Sequence, residues 1–141
     1  MSNTAATVTI VDDDDSVRRA LARLLTATGY SVRTFASAPD LLTQPARETP
    51  SPGCLLVDVR MPEISGFELH AILNRNGTET PIVFMTGNLE DYAAARSMGS
   101  GVVEFLFKPF TDDALLDAVH RALVRDANQR GAQSTVGSPS T

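Results

Sequence analysis

Five polar residues stand where apolar, strand-like runs of this 141-residue chain end: Asp12, Asp13, Asp58, Thr86 and Lys108. Three carboxylates gathered within a few ångströms repel one another, which raises their pKa values or requires a cation. Oxygen ligands with room for water suit a hard cation such as Mg²⁺, and Lys108 would supply a second, fixed positive charge. A carboxylate at the end of an apolar run that faces a divalent cation and an ammonium is suited to be the nucleophile of a phosphoryl transfer.

The lysine is unusual in this sequence because eleven of the twelve basic residues are arginine and only Lys108 is lysine. A compact ammonium fits a small site better than the planar guanidinium of arginine. Taken alone, Lys108 would be a surface lysine, Asp58 a turn acid, and the run 12–15 a solvated acidic turn. Their joint occurrence at successive strand ends favours one shared site.

The runs that carry these residues alternate with helical patterns. The sequence predicts strands over 7–11, 31–35, 54–58, 81–86 and 102–107, and helices over 16–28, 38–44, 65–74, 89–98 and from 112 onward. Five such βα repeats predict a doubly wound parallel sheet with helices on both faces. Because ligands of such sheets bind at the carboxyl ends of the strands, the five polar residues are expected to share one mouth.

Local signals place the ends of some helices. Asp14 or Asp15 can cap the first helix, Gly29 suits the left-handed residue after its end, and Ser65 can cap the third. A loop carrying Pro45, Pro50, Pro52 and Gly53 is expected before the third strand.

The sequence divides into three parts. Residues 1–6 are expected to be an N-terminal extension and residues 7–125 the folded domain. Residues 126–141 are rich in Ser, Thr, Gly and Gln and have no apolar period, which predicts a flexible tail or the start of an interdomain linker.

Net charge, the length of apolar runs and cysteine content disfavour several classes of function. The net charge of −5 disfavours binding of nucleic acid or an anionic membrane by this chain itself. No apolar run approaches the roughly 18 residues of a membrane span, and the first residues lack the basic region of a secretory signal. The single cysteine, Cys54, fits a reducing compartment and is expected to be a packed side chain. These features predict a cytoplasmic protein, with His70 and His120 at its surface.

The polar residues lie within short motifs that resemble those of response-regulator receiver domains of bacterial two-component signalling. The motifs occur in order over residues 7 to 125: Ile10-Val11-Asp12-Asp13, Leu56-Val57-Asp58-Val59-Arg60-Met61-Pro62, Ser65-Gly66, Met85-Thr86-Gly87 and Lys108-Pro109-Phe110. The segment 105–110 is also similar to the nitrogen-fixation regulator subfamily, whose members usually carry a C-terminal helix-turn-helix. The resemblance implies a flavodoxin-like strand order of 2-1-3-4-5.

The resemblance also implies a role for each acid. Asp58 would accept a phosphoryl group from a sensor histidine kinase. Mg²⁺ (or Mn²⁺) would be bound by Asp13, Asp58 and the backbone carbonyl of Arg60, with Asp12 holding a metal-bound water.

The remaining motif residues would contact or report the phosphoryl group. Thr86 and Lys108 would bind its oxygens. Thr86 and Phe105 would form the switch, in which Phe105 moves from an exposed to a buried rotamer. The Lys108–Pro109 peptide bond would be cis, which aims the lysine inward.

These expectations describe a signalling switch whose only catalysis is self-catalysed phosphoryl uptake and autodephosphorylation. A phosphorylation-dependent homodimer is a candidate assembly, and the output would be a transcriptional domain or a partner. The alternative is a stand-alone receiver that acts by protein–protein contact without DNA-binding output. A phosphatase of the dehalogenase type is disfavoured because Arg60 stands where its general acid would be, and a receiver-like scaffold without phosphate because no acid or lysine is missing.

Overall fold

The computed structural model describes residues 6–44, 53–98 and 102–137, which form a single sheet covered by helices. The strands are β1 (Thr7–Val11), β2 (Ser31–Phe35), β3 (Gly53–Asp58), β4 (Ile82–Thr86) and β5 (Val102–Phe107). The helices are α1 (Asp15–Thr28), α2 (Ala38–Leu42), α3 (Gly66–Arg75), α4 (Leu89–Arg96) and α5 (Asp112–Gly137). All strand pairs are parallel and the order is β2-β1-β3-β4-β5. The predicted doubly wound fold is confirmed.

The two faces of the sheet carry separate apolar clusters. One cluster packs Leu21 and Leu25 of α1 and Leu115 of α5 against the sheet. The other packs Leu69 of α3 and Ala95 of α4 on the opposite face. Every residue of β3 and β4 is buried, as expected of central strands covered on both faces.

Short-range capping sets the starts of the helices next to the site. The side chain of Asp14 accepts a hydrogen bond from the Val17 amide at 3.1 Å and so caps α1. Gly29 follows α1 with a φ of 112°, in the left-handed region that favours glycine. Ser65 and Glu68 form a reciprocal capping box at α3. The predicted caps at Asp14, Gly29 and Ser65 are confirmed.

Helix α5 continues beyond the point at which the sequence predicts a flexible tail. The prediction places flexibility from residue 126, whereas the structure is helical to Gly137. Residues 127–133 contain Ala, Gln and Arg, which are good helix formers, and an existing helix is extended more easily than a new one is nucleated. Residues 1–5, the predicted proline loop at 45–52 and residues 138–141 lie outside the described residues. Within the described ranges, no helix is both long and apolar enough to cross a bilayer.

The prediction that His70 lies at the surface is wrong. His70 is 8% exposed, and its ring meets Phe84 edge to face with 5.8 Å between the centroids. Helix α3 turns this residue toward the sheet together with Leu69, so that the imidazole fills part of the core. Burial lowers the pKa of His70. His120 is exposed, as predicted.

Candidate functional site

The acidic turn after β1 is held by hydrogen bonds to its own backbone. Asp12 is fully buried, and its Oδ1 accepts a hydrogen bond of 2.9 Å from the Asp14 amide. Arg18 of α1 donates from Nη1 to the Asp12 carbonyl at 2.7 Å and also pairs with Asp15. The start of α1 therefore fixes the position of Asp12, whereas Asp13 is exposed at the mouth of the site.

Asp58 and Lys108 meet across the ends of β3 and β5. Lys108 Nζ donates to Asp58 Oδ1 at 2.8 Å and lies 3.5 Å from Asp12 Oδ2. Carboxylate oxygens of Asp12, Asp13 and Asp58 all lie within 4.8 Å of one another. The structure thus brings together four of the five residues that the strand-end pattern predicts to share one mouth.

Burial and charge act against each other in this cluster. Burial raises the pKa of the Asp12 and Asp58 carboxyls, and Lys108 partly offsets this rise. Burial alone would lower the pKa of Lys108, but its hydrogen bond and charge interaction with Asp58 outweigh burial and raise that pKa. The negative charge of Asp13 adds to the rise at both acids. One ammonium therefore faces three carboxyl groups, and a further cation would relieve their repulsion.

The donor set also fits a divalent cation. Asp12 Oδ2 is buried and accepts no hydrogen bond from the described residues, which is a costly arrangement for a carboxylate. Its nearest positive group is Lys108 Nζ, at a distance longer than a good charged hydrogen bond. Exposed Asp13 keeps one side of the cluster open to water, as suits Mg²⁺, which retains several waters when bound to proteins.

Gly66 brings the start of α3 against the backbone of Asp58. A Cβ atom at this glycine would lie 2.6 Å from the Asp58 carbonyl oxygen, which is closer than real Cβ contacts allow. The Gly66 amide donates to the Val59 carbonyl at 2.9 Å. The loop between β3 and α3 is thereby folded back onto the end of β3, and this approach fixes the backbone of Asp58.

Thr86 ends β4 next to this cluster but directs its hydroxyl toward α4. The residue is 2% exposed. Its Oγ1 accepts a hydrogen bond of 3.0 Å from the Asn88 amide and donates a long one of 3.5 Å to Asp91 Oδ2. The Thr86 carbonyl accepts from the Lys108 amide at 2.8 Å, so that the ends of β4 and β5 are tied together. The Lys108–Pro109 peptide bond is cis.

Phe105 is partly buried, which differs from the exposed starting position that the sequence analysis assumes. Its ring packs against the α3 and α4 face of the sheet and meets Tyr92 edge to face at 5.9 Å between centroids. Tyr92 also meets Phe107 at 5.8 Å. Helix α4 therefore rests on the β5 aromatics and already covers part of Phe105.

Arg60 has a side-chain partner that its sequence context does not reveal. Arg60 Nε donates to Asp91 Oδ2 at 2.6 Å, and its Nη2 lies 3.4 Å from Asp91 Oδ1. The pair joins the β3–α3 loop to the first turn of α4 across 31 positions of sequence. Two exposed-looking charges so far apart give no periodic or motif signal, so only the folded structure could identify this contact.

Burial accounts for the single cysteine. Cys54 is 1% exposed in β3, and burial raises the pKa of its thiol to about 12. The predicted role as a packed side chain is confirmed.

Comparison with known proteins identifies the family. Residues 8–120 match the family described as response regulator receiver domain. Nodulation protein W of Bradyrhizobium diazoefficiens is 42% identical over 135 residues, which cover 96% of this chain and 59% of that protein. Transcriptional regulatory protein FixJ of Azorhizobium caulinodans is 41% identical over 133 residues, which cover 92% of this chain and 62% of that protein. The predicted similarity to the nitrogen-fixation regulator subfamily is confirmed.

A solved structure gives the same result for the fold. The response regulator StyR superposes with a TM-score of 0.84 at 42% sequence identity, over 94% of this chain and 66% of that one. The chain thus spans less than two thirds of the length of these curated relatives.

Proposed function

The chain belongs to the response regulator receiver domain family, and we propose that it accepts a phosphoryl group on Asp58 from a sensor histidine kinase. Members of this family act in phosphorelay signalling as switches and are generally not conventional enzymes. The proposal adds the acceptor residue, the metal ligands, the switch and the type of output for this particular chain.

One observation carries the proposal: the carboxylate of Asp58 is largely buried, accepts a hydrogen bond from Lys108 and lies within 4.8 Å of two further acids. A carboxylate that served only to form a turn would be solvated, and a direct hydrogen bond from Lys108 would not be expected. The close approach of Gly66 fixes the Asp58 backbone, and the hydrogen bond from Lys108 restricts the orientation of the Asp58 carboxylate. Such preorganisation supports a nucleophile.

The acids are proposed to hold the Mg²⁺ that receiver domains bind at an acidic pocket. The ligands would be Asp13, Asp58 and the backbone carbonyl of Arg60, with Asp12 reached through water, and Mn²⁺ would serve as a substitute. The hydrogen-bond-free Asp12 Oδ2 supports a nearby positive group in the working protein. When bound, the ion would offset the negative charge of the incoming phosphoryl group.

The protein's own residues would then do the following. A carboxylate oxygen of Asp58 forms a bond to phosphorus as the bond from phosphorus to the donor histidine nitrogen breaks, and that nitrogen keeps the electron pair. Lys108 moves its charged hydrogen bond from the Asp58 carboxylate to a phosphoryl oxygen. The Thr86 hydroxyl donates to another oxygen, since the phosphoryl group adds acceptors and no donors.

Intact-mass analysis after incubation with acetyl phosphate and Mg²⁺ tests the acceptor. One added phosphoryl group is expected on the unmodified chain, and none on Asp58→Asn. Asp40→Asn, which removes an acid from α2, serves as the control and should be modified normally. Undiminished modification of the Asp58→Asn protein would contradict the proposal.

Lys108→Arg tests whether the site needs a compact ammonium. The substitution keeps the charge, but a planar guanidinium cannot place a single donor in the same small space. Because a hydrogen bond to a charged group contributes about 1.5–3 kcal/mol, phosphoryl uptake is expected to fall about ten- to hundredfold. Uptake at the normal rate would refute the argument from size.

The output is proposed to be transcriptional. The supporting observation is that a relative 41% identical to this chain is named a transcriptional regulatory protein. The chain itself would bind no nucleic acid, and a phosphorylation-dependent homodimer would carry the signal. The second candidate is a stand-alone receiver that acts through protein–protein contact. Residues 7–125 would form the receiver in either case, with residues 126–141 leading toward any output.

A further inference from the structure

The feature that the receiver function leaves unused is the contact between Arg60 and Asp91. Both Arg60 Nε and the Thr86 hydroxyl donate to the same oxygen, Asp91 Oδ2, at 2.6 and 3.5 Å. Asp91 is itself fixed at the start of α4, because its amide donates to the side chain of the helix cap, Asn88, at 3.0 Å. One carboxylate oxygen therefore joins the loop after Asp58 to the end of β4.

The Thr86 hydroxyl has only one proton to donate. Oγ1 already accepts from the Asn88 amide at 3.0 Å, and its proton is directed at Asp91. For the hydroxyl to donate to a phosphoryl oxygen on Asp58, its hydrogen bond to the Asp91 carboxylate must break. The two acceptors therefore compete for one donor.

We propose that Asp91 is a positioning residue that holds the Thr86 hydroxyl away from Asp58 until phosphorylation, with Arg60 holding the Asp91 carboxylate in place. This inference rests on the proposed function, since it assigns the resistance that a phosphoryl group on Asp58 must overcome. The Thr86–Asp91 hydrogen bond is long and weak by itself. Arg60 strengthens the restraint on Thr86, because its bidentate contact with Asp91 restricts where the carboxylate can move. Thr86, Asp91 and Arg60 together are called the latch below.

The surroundings of the pair allow it to open. The Arg60 side chain is 65% exposed, so the guanidinium can leave for solvent. The Asp91 side chain is only 17% exposed, so its carboxylate must turn outward with the first turn of α4 to become solvated. In α4 the only described buried residue is Ala95. Release of Asp91 would therefore free the first turn of the helix at small cost in packing.

The test compares variants for their affinity for beryllofluoride, a phosphoryl mimic, in the presence of Mg²⁺. Titrations followed by amide NMR give the apparent Kd for the wild type, Asp91→Ala, Arg60→Gln and the double variant. Glu90→Ala is the matched control, because it removes a neighbouring acid from the same helical turn that makes no hydrogen bond to Thr86 or Arg60 among the described residues. In a parallel measurement without Mg²⁺ or beryllofluoride, three-bond couplings of Thr86 report the rotamer of its hydroxyl.

Asp91→Ala is expected to lower the apparent Kd about two- to fivefold, the range for loss of an exposed ion pair, while Glu90→Ala leaves it unchanged. Arg60→Gln is expected to shift the apparent Kd toward tighter binding by a factor at least about two times larger in the wild-type background than in the Asp91→Ala background. Only the wild-type background contains the latch that this substitution would release. This comparison cancels the general effect of removing a positive charge. Asp91→Asn, whose amide oxygen still accepts a hydrogen bond, should fall between the wild type and Asp91→Ala.

Three results would overturn the inference: equal effects of Asp91→Ala and Glu90→Ala, an identical effect of Arg60→Gln in both backgrounds, or unchanged Thr86 couplings in free Asp91→Ala. The couplings separate this inference from the proposed function. If the wild type binds no beryllofluoride, the proposed function fails, but a changed Thr86 rotamer in free Asp91→Ala would still support the latch.

Discussion

Helices α1 and α4 both leave the site end of the sheet, but they are held in different ways. Helix α1 has 14 residues, is capped at both ends and buries Leu21 and Leu25 in the core. Helix α4 has eight residues and buries only Ala95 among those described. It is held instead by the Tyr92 ring and by the pair of Arg60 and Asp91.

The two kinds of contact indicate which parts of the site stay fixed when it is occupied. The buried apolar contacts of α1 have no alternative partner. The hydrogen bond from Arg18 of α1 fixes the Asp12 carbonyl relative to this helix. The contacts of α4 are an exposed ion pair, a long hydrogen bond and an aromatic edge, all of which can be replaced. We expect the α1 side to form the fixed part of the site and the α4 side to respond to its occupant.

Truncation of one leucine in each helix tests the contrast in packing. Leu25 of α1 is fully buried, whereas Leu89 of α4 is 71% exposed. Leu25→Ala is expected to lower the free energy of unfolding by about 2–5 kcal/mol, and Leu89→Ala to change it by less than about 0.5 kcal/mol. Urea denaturation of both variants measures the difference, and similar losses would remove the basis of the comparison.

Magnesium should stabilise the protein through the fixed side of the site. With the ion at 100 times its dissociation constant, the free energy of unfolding should rise by about 2.7 kcal/mol. Asp13→Asn is expected to abolish this rise and to leave the metal-free protein at least as stable, because a like charge is removed. Asp14→Asn is the control, since Asn caps a helix as well as Asp. Thermal denaturation with and without Mg²⁺ measures the stabilisation. If Asp13→Asn keeps the full Mg²⁺-induced rise in melting temperature, Asp13 is excluded as a ligand.

Two glycines test how tightly each side encloses the site. A Cβ at Gly66 would meet the Asp58 carbonyl at 2.6 Å, whereas one at Gly87, before α4, would lie 3.7 Å from the Cβ of Lys108, an ordinary van der Waals distance. Gly66→Ala is expected to lower the free energy of unfolding by about 1–3 kcal/mol, and Gly87→Ala to be close to neutral. Denaturation curves for the pair, together with phosphoryl uptake, measure this. A neutral Gly66→Ala would show that the β3–α3 loop is not tightly seated.

The smallest expected effect concerns His70, which packs on the same face as α4. Burial lowers its pKa from the ordinary value of 6.5, so the unfolded chain binds the proton more readily than the folded one. His70 therefore has no effect on stability above that value and destabilises the fold as the pH drops below it. His70→Gln should flatten the acid side of the stability profile relative to His120→Gln, whose site is exposed. Superimposable profiles for the two variants would contradict this reasoning.

Most of the fold and the cluster of charged residues could be predicted from local sequence. Alternation of apolar runs with helical stripes gives the five strands, and polar residues at strand ends give Asp12, Asp58 and Lys108. The Arg60–Asp91 contact could not be predicted, because it depends on how a loop and a helix start meet in space.

Two differences between sequence and structure have related causes. His70 is predicted at the surface because it lies on a helix with no second ligand at useful spacing, but the orientation of α3 turns it against Phe84 in the core. The composition of residues 126–141 predicts a flexible segment, whereas α5 is helical to Gly137, as expected when a helix propagates from residues 112–126. Both outcomes are set by neighbouring structure and not by residue type.

Hydrogen exchange on the free and the beryllofluoride-bound protein tests most directly whether the α4 side responds and the α1 side does not. The account predicts that protection changes concentrate in residues 86–98 and 102–107, with residues 16–28 nearly unchanged once Mg²⁺ is present in both samples. Changes found mainly in residues 16–28 would contradict it.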